Sequence, residues 1–204
     1  MGFFSDHTKK KITILLGHPD SGKTLSSEIA LIYKEAAKKA GHEVKYFKLG
    51  HLQFDPILHL GYKVIQELEP NLKELQEAIK WCDHFVIVYP NWWSTMPALL
   101  KGLFDRMWLP GFAFGYYKTG IMGHFNLWKR NMRGKTARVF VLSGTQPVFI
   151  WLLFGDYTNE IKRGILWFAG FKAKVSHFGP SEKAPEWLKN SWFRKVQKLG
   201  RLAE

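Results

Sequence analysis

Short apolar runs and longer periodic segments take turns along this chain. Lys11 to Leu16 (KITILL) is apolar almost throughout, the pattern of a strand covered on both faces. Thr24 to Ala40 carries Leu25, Ile29, Ile32 and Ala36 at helical spacing, and Gly41 supplies the stop. A second strand is expected over Glu43 to Phe47, then a helix over Tyr62 to Lys80, interrupted at Pro70. The run Phe85 to Tyr89 predicts a third buried strand that stops at Pro90, and Pro97 opens the helix that follows. Thr136 to Leu142 (TARVFVL) is strand four and Lys174 to His177 lies in strand five, with a helix from Thr158 to Ala169 between them that ends at Gly170. Ala184 to Leu202 reads as a last, basic helix. Strand and helix in alternation predict an α/β fold, a doubly wound five-stranded parallel sheet with helices on both faces. The 204 residues suit one domain, 1–204, with no repeat or linker to divide it.

Composition narrows the setting. No apolar run approaches the roughly 20 residues that span a bilayer, and Pro147 to Phe154 (PVFIWLLF) is the longest suspect. The first residues, MGFFSDHTKKK, lack the apolar core of a signal peptide. One cysteine, Cys82, leaves no internal disulfide and argues against a metal–thiolate site. A cytoplasmic location is expected. The net charge of +13 is unevenly placed: six Lys/Arg and no acid from Lys118 to Arg138, eight against two acids from Lys172 to Arg201. Such stripes concentrate anions, whether cofactor phosphates or a peripheral anionic membrane surface, or they are simply solvated. No helix-turn-helix, zinc-finger or RNP-type signature supports nucleic acid as a partner.

The densest chemistry lies after the third strand. Pro90, Asn91, Trp92, Trp93 and Ser94 set an amide, two indoles and a hydroxyl where open α/β sheets bind ligands, beyond the carboxyl ends of their strands. Successive side chains of an extended segment alternate faces, so both indoles cannot point inward. A long glycine- and aromatic-rich loop follows, between Trp108 and Gly134, of a length that is usually functional.

Pro90, Asn91, Trp92, Trp93, Ser94, Pro97, Ala98, Leu100, Lys101, Phe104, Asp105 and Arg106 resemble the P-x-Q-W-[FY]-x-x-P-A-x-L-K-x-[FW]-x-[DE]-[RK] stretch of the NAD(P)H:quinone oxidoreductases of flavodoxin-like fold. Trp92 stands where glutamine is usual and Ser94 where an aromatic is usual. The likeness continues through Pro110 to Phe114 and, with gaps, over nearly the whole chain. It implies a strand order of 2-1-3-4-5 and residues 90–94 around the ring of FMN or FAD. It also implies NAD(P)H as electron donor, a quinone or an azo or nitro aromatic as acceptor, and a homodimer that completes the pocket. Phe114 and Tyr116 would line the acceptor pocket. Val148 to Phe154 would cover part of the dimer contact.

Two further loops follow from the resemblance. His18, Thr24, Leu25 and Ser26 at the first strand–helix turn would hold the flavin phosphate, with the amides at the helix start as donors. Ser143, Gly144, Thr145 and Gln146 stand where the family has T-T-G-G and would offer backbone amides to the edge where charge collects in the reduced ring. Phe154 occupies the place of the family's pocket histidine, and no tyrosine lies in the matching upstream stretch, so proton delivery needs another group or water. Chemistry would rest on the flavin, with no catalytic side chain or metal. Gly17 to Thr24 (GHPDSGKT) also matches the Walker A pattern, so a P-loop NTPase or kinase is a rival, although strands three and four end without an acid for Mg²⁺. A flavin-bearing regulatory module is a second rival.

Overall fold

The computed structural model describes residues 8–125 and 127–204; the start of the segment expected to lack a signal-peptide core lies outside them. The elements run β1 (Lys11–Leu16), α1 (Leu25–Lys39), β2 (Glu43–Lys48), α2 (Pro70–Trp81), β3 (His84–Pro90), α3 (Ala98–Met107), β4 (Phe114–Tyr116), α4 (Gly120–His124), β5 (Trp128–Arg130), β6 (Thr136–Leu142), α5 (Pro147–Phe154), a π-helix (Glu160–Trp167), β7 (Lys172–Phe178) and α6 (Glu186–Leu202). Five strands form one parallel sheet in the order β2-β1-β3-β6-β7. This is not 2-1-3-4-5 as numbered along the chain. Two unexpected short strands, β4 and β5, intervene and pair with each other, antiparallel, inside the long loop.

Alternation along the central strand divides the core into two layers. Phe85, Ile87 and Tyr89 pack with Leu100, Leu103, Ile161 and Leu166, while Val86 and Val88 pack with Ile29, Tyr33 and Val196 of α1 and α6. None of the described helices is long and apolar enough to cross a membrane.

Three local expectations are corrected. The helix expected over Tyr62 to Lys80 begins at Pro70, in the first helical position that proline favours, and residues 62–69 are turns and irregular chain. Pro97 caps α3 from outside rather than opening it. The segment expected as an α-helix from Thr158 to Ala169 is π-helical over Glu160–Trp167. Near its carboxyl end the carbonyls of Ile165, Trp167 and Phe168 accept from Trp108 Nε1 (3.1 Å), the Arg130 guanidinium and Trp128 Nε1 (2.9 Å), tertiary contacts that apolar periodicity does not encode.

The irregular stretch before α2 is held by one side chain. Arg106, 1% exposed, donates to the carbonyls of Asp55 and Glu67 and makes a two-pronged pair with the Glu69 carboxylate at 3.1 and 3.0 Å. Burial raises the Glu69 pKa, but amide hydrogen bonds and the guanidinium outweigh it and hold the carboxyl below its ordinary 4.5. The unfolded chain therefore takes up this proton more readily than the folded one. The stabilisation is complete above about pH 4.5 and is lost as pH falls through the depressed folded value. Arg106→Met is expected to lower the unfolding free energy by about 3 kcal/mol, the low end for breaking a buried pair, and to flatten the acid limb of stability. Urea unfolding of both proteins at pH 7 and at pH 4 measures both effects.

Candidate functional site

At the carboxyl edge of the sheet the strands end at different heights. The β1–β3 ladder closes at Leu16 opposite Val88, with Gly17 N donating to Val88 O at 2.7 Å. The β3–β6 ladder continues to Pro90 opposite Leu142, and Asn91 N reaches Leu142 O at 2.6 Å. Pro90 is thus the last strand residue rather than the first residue beyond it. Gly17 passes close to α3: an added Cβ would lie 2.7 Å from Leu100 Cδ2 and 3.2 Å from Tyr89 Cβ, so a side chain there would push the Leu100 methyl aside.

The turn after β1 is built from local hydrogen bonds. Asp20 N donates to His18 Nδ1 at 3.0 Å, which leaves the His18 proton on Nε2, and Gly22 N donates to Asp20 Oδ1 at 2.7 Å. Thr24 is the N-cap of α1: its Oγ1 accepts from Ser27 N at 3.1 Å and its own N donates to Ser27 Oγ at 2.9 Å. The first-turn amides of Leu25 and Ser26 have no acceptor inside the helix. Helix and turn geometry weigh against the P-loop reading. Lys23 is exposed and outside the helix, and the Gly22 amide serves Asp20 instead of facing a phosphate.

The turn after β3 is strained. Trp92 and Thr95 exchange backbone hydrogen bonds at 2.9 and 3.1 Å, and Trp93 and Ser94 between them take φ of 52° and 63°. Two adjacent left-handed residues make the tight turn that normally takes Asn-Gly. An indole and a hydroxymethyl group there cost of order 1 kcal/mol each. The turn throws Trp93 into solvent, 98% exposed, and leaves Trp92 45% exposed with its ring edge-on to His18 at 5.7 Å. Thr95 is tied to the Glu160 carboxylate of the π-helix. At the start of this turn Asn91 Oδ1 is buried with no hydrogen-bond partner, an uncommon state for an amide oxygen.

The loop after β6 completes the edge. Ser143 N donates to Phe178 O at 2.9 Å and Ser143 Oγ to Thr145 O at 2.8 Å, whereas Gly144, Thr145 and Gln146 are exposed. Of the expected residues, the structure brings together the turns at His18–Ser26, Pro90–Ser94 and Ser143–Gln146 on one edge. Phe114 and Tyr116 sit apart, in the β4–β5 ribbon. Phe114 packs on Tyr116 (5.5 Å) and Phe168 (5.0 Å), and neither ring pairs with Trp92 or Trp93 among the described residues.

One polar pair was not legible. Tyr157 Oη lies 2.7 Å from His177 Nδ1 below the Ser143 loop. Burial, opposed by the Ser143 hydrogen bond and aided by Asp156, pushes the Tyr157 phenol up to about 12. Burial lowers His177, Asp156 opposes it, and Lys195 and Lys162 add to it. At neutral pH a protonated phenol therefore donates to a neutral imidazole. The only signal was His177 sharing a strand face with Ala173 and Val175, which says nothing about a tyrosine 20 residues earlier.

Known proteins share this framework. Ribosyldihydronicotinamide dehydrogenase [quinone] of Rattus norvegicus is 24% identical over 93% of this chain and 92% of its own length. The NAD(P)H:quinone oxidoreductase of Methanothermobacter marburgensis superposes with a TM-score of 0.77 at 23% identity, over 96% of this chain and all of the other. An FMN-dependent NADH-azoreductase of Bacillus anthracis, solved in complex with FMN, gives 0.70 at 17% identity, over 95% and 99% of the two chains. At these identities the two structures speak to the fold alone. A family model described as "Flavodoxin-like fold" matches residues 10–184, and the chain belongs to that family.

Proposed function

We propose that this chain is a cytoplasmic NAD(P)H oxidoreductase that holds FMN, or alternatively FAD, and reduces quinones or related aromatic acceptors by two electrons. The observation that carries the reading is the buried, unpartnered Asn91 Oδ1 next in sequence to two exposed indoles. A planar heterocycle bearing an N–H fits that oxygen, and its flat face fits Trp92. The names of the relatives point the same way, since they pair nicotinamide donors with quinone or azo acceptors and one carries FMN. The whole chain, 1–204, acts as one flavin-binding domain.

The residues divide the work by chemistry. The amides of Leu25 and Ser26, the Thr24 hydroxyl and the positive end of α1 are donors for a phosphate. His18, with its proton on Nε2, is a further donor against Trp92. Pro90 to Ser94 form the shelf, and the exposed Gly144 to Gln146 offer backbone amides to developing negative charge, since the Ser143 amide is held by Phe178 O and Ser143 shapes the loop instead. When bound, the flavin supplies the hydride chemistry itself. Tyr157 Oη keeps its proton beside the Ser143 loop, with His177 Nδ1 as its hydrogen-bond partner, and is the proton-bearing group in place of the histidine that Phe154 replaces. A second copy of the chain would bring Phe114 and Tyr116 to the shelf. Its contact would cover α5, whose Trp151, Leu152, Leu153 and Phe154 are 59–74% exposed with no charge among them.

Thr24→Glu sets a carboxylate against the phosphate and should purify with little flavin, whereas Thr24→Ser keeps it; the absorbance near 450 nm against 280 nm reads the content. Full flavin content in Thr24→Glu would refute the anchoring role. Tyr157→Phe should retain flavin but lose about tenfold or more in kcat with menadione at unchanged KM, as expected when a group that acts on the proton only in the transition state is removed. Light scattering should give twice the chain mass of 23.7 kDa, and Leu153→Glu with Phe154→Glu should give monomers. A monomeric wild-type protein with full turnover would exclude the dimer.

A further inference from the structure

The opposite end of the sheet carries a second polar constellation. A broad cleft of about 1470 Å³ opens at the amino ends of β3, β6 and β7. Eight of its lining side chains are lysine or arginine and one, Glu204, is an acid. Among the described residues that acid meets one of them, Lys174, at 3.6 Å.

Two of the lining groups are buried and short of partners. Arg138 is 6% exposed and lies on the α1–α6 face of β6 with Phe140 and Leu142. Its hydrogen bond, to Ser176 Oγ, is long at 3.4 Å, and its Nε has none. On β3, opposite Thr136 and two residues before Val86, which pairs with Arg138, His84 is 1% exposed, with Nδ1 2.7 Å from Thr136 Oγ1 and Nε2 unpartnered. Burial and then the charges of Lys10, Arg138, His42 and Lys174 drive the His84 pKa down to about 3, so the imidazole is neutral and surrounded by positive potential. A guanidinium out of water without a hydrogen-bonded counter-charge is costly, and native proteins seldom leave one so.

We infer that this cleft is a binding site for a small anion bearing a di- or triphosphate, with Arg138 and His84 at its floor and Lys10, Lys172 and Lys174 at its walls. Guanidinium forks match phosphate oxygens, and the excess of cations over the single acid calls for a multiply charged ligand. The unpartnered atoms lie at nearly buried side chains, out of reach of a flat bilayer or a duplex backbone, which favours a small molecule. Six residue steps along β6, about 20 Å at about 3.3 Å per residue, separate the cleft from the carboxyl edge, so the inference does not rest on the proposed flavin.

Calorimetry with inorganic pyrophosphate and tripolyphosphate at low salt tests it. The flavin-loaded wild type and Thr24→Glu, in which the α1 turn rejects phosphate, should both show one saturable site per chain. Arg138→Leu should weaken binding about tenfold or more, Lys172→Ser several-fold and Lys63→Ser, an exposed charge elsewhere, hardly at all, while Glu204→Gln should tighten it. Lys172→Ser keeps the test valid if Arg138→Leu fails to fold. Loss of binding in Thr24→Glu would assign the heat to the α1 turn and overturn the inference. So would equal losses in Lys172→Ser and Lys63→Ser, or stronger binding to anionic vesicles or duplex DNA that pyrophosphate does not displace.

Discussion

In a parallel sheet the N–H and C=O of one residue point to the same neighbour, and successive residues alternate between the two sides. Along β3, Val88 faces β1, where its carbonyl accepts from Gly17, and Asn91 faces β6, where its amide reaches Leu142. Pro90, two residues past Val88, faces β1 again, but β1 has already ended at Leu16. The missing proline donor therefore leaves no gap in either ladder. This offset lets β3 outrun β1 and carry Asn91 past the layer of α1, so that the chain must turn sharply between fixed points at Leu142 and Pro97. The strained Trp93–Ser94 pair follows from that confinement, and its cost is met by the Trp92–Thr95 exchange and by the Glu160 tie to the π-helix.

The strands were legible because both sheet faces are covered, which leaves the runs at 11–16, 85–89 and 136–142 with almost no polar positions. Helix α1 was legible from its spacing and from Thr24, whose cap bonds are local. Residues 62–69 misled because Tyr62, Val64 and Ile65 supply apolar character while the chain's course there is dictated by Arg106, some forty positions away. The β4–β5 ribbon offered three residues per strand, too few for a period. Of the site, the contiguous turns were legible in sequence. The Tyr157–His177 pair was not, because the sheet alone creates that neighbourhood.

Reading charge as stripes failed for a related reason. The cations between Lys118 and Arg138 do not form one face. Lys135 caps the carbonyls of Lys80 and Cys82, whereas Arg130, 4.4 Å over the Trp167 ring, lines the cleft at the sheet's amino edge with Arg133 and Arg138. Arg138 sits inside TARVFVL, where an apolar-run reading passes over it. Strand parity puts it on the covered face with Phe140 and Leu142, and a cation at such a position demands an explanation that a solvated stripe does not supply.

The two edges offer positive potential by different means. At the carboxyl edge it comes from backbone amides and the dipole of α1, partial charges fixed by the fold and aimed at a point. At the amino edge it comes from formal charges on long side chains around a large opening, whose attraction for anions falls steeply with ionic strength except at the buried Arg138. Directed dipoles suit a group that must be held in one orientation for chemistry. A ring of mobile cations over a buried guanidinium suits capture of a highly charged ligand in which total charge matters more than pose. The carboxyl edge thus owes its potential to the fold and the amino edge to formal charge, a distinction that the net +13 does not record.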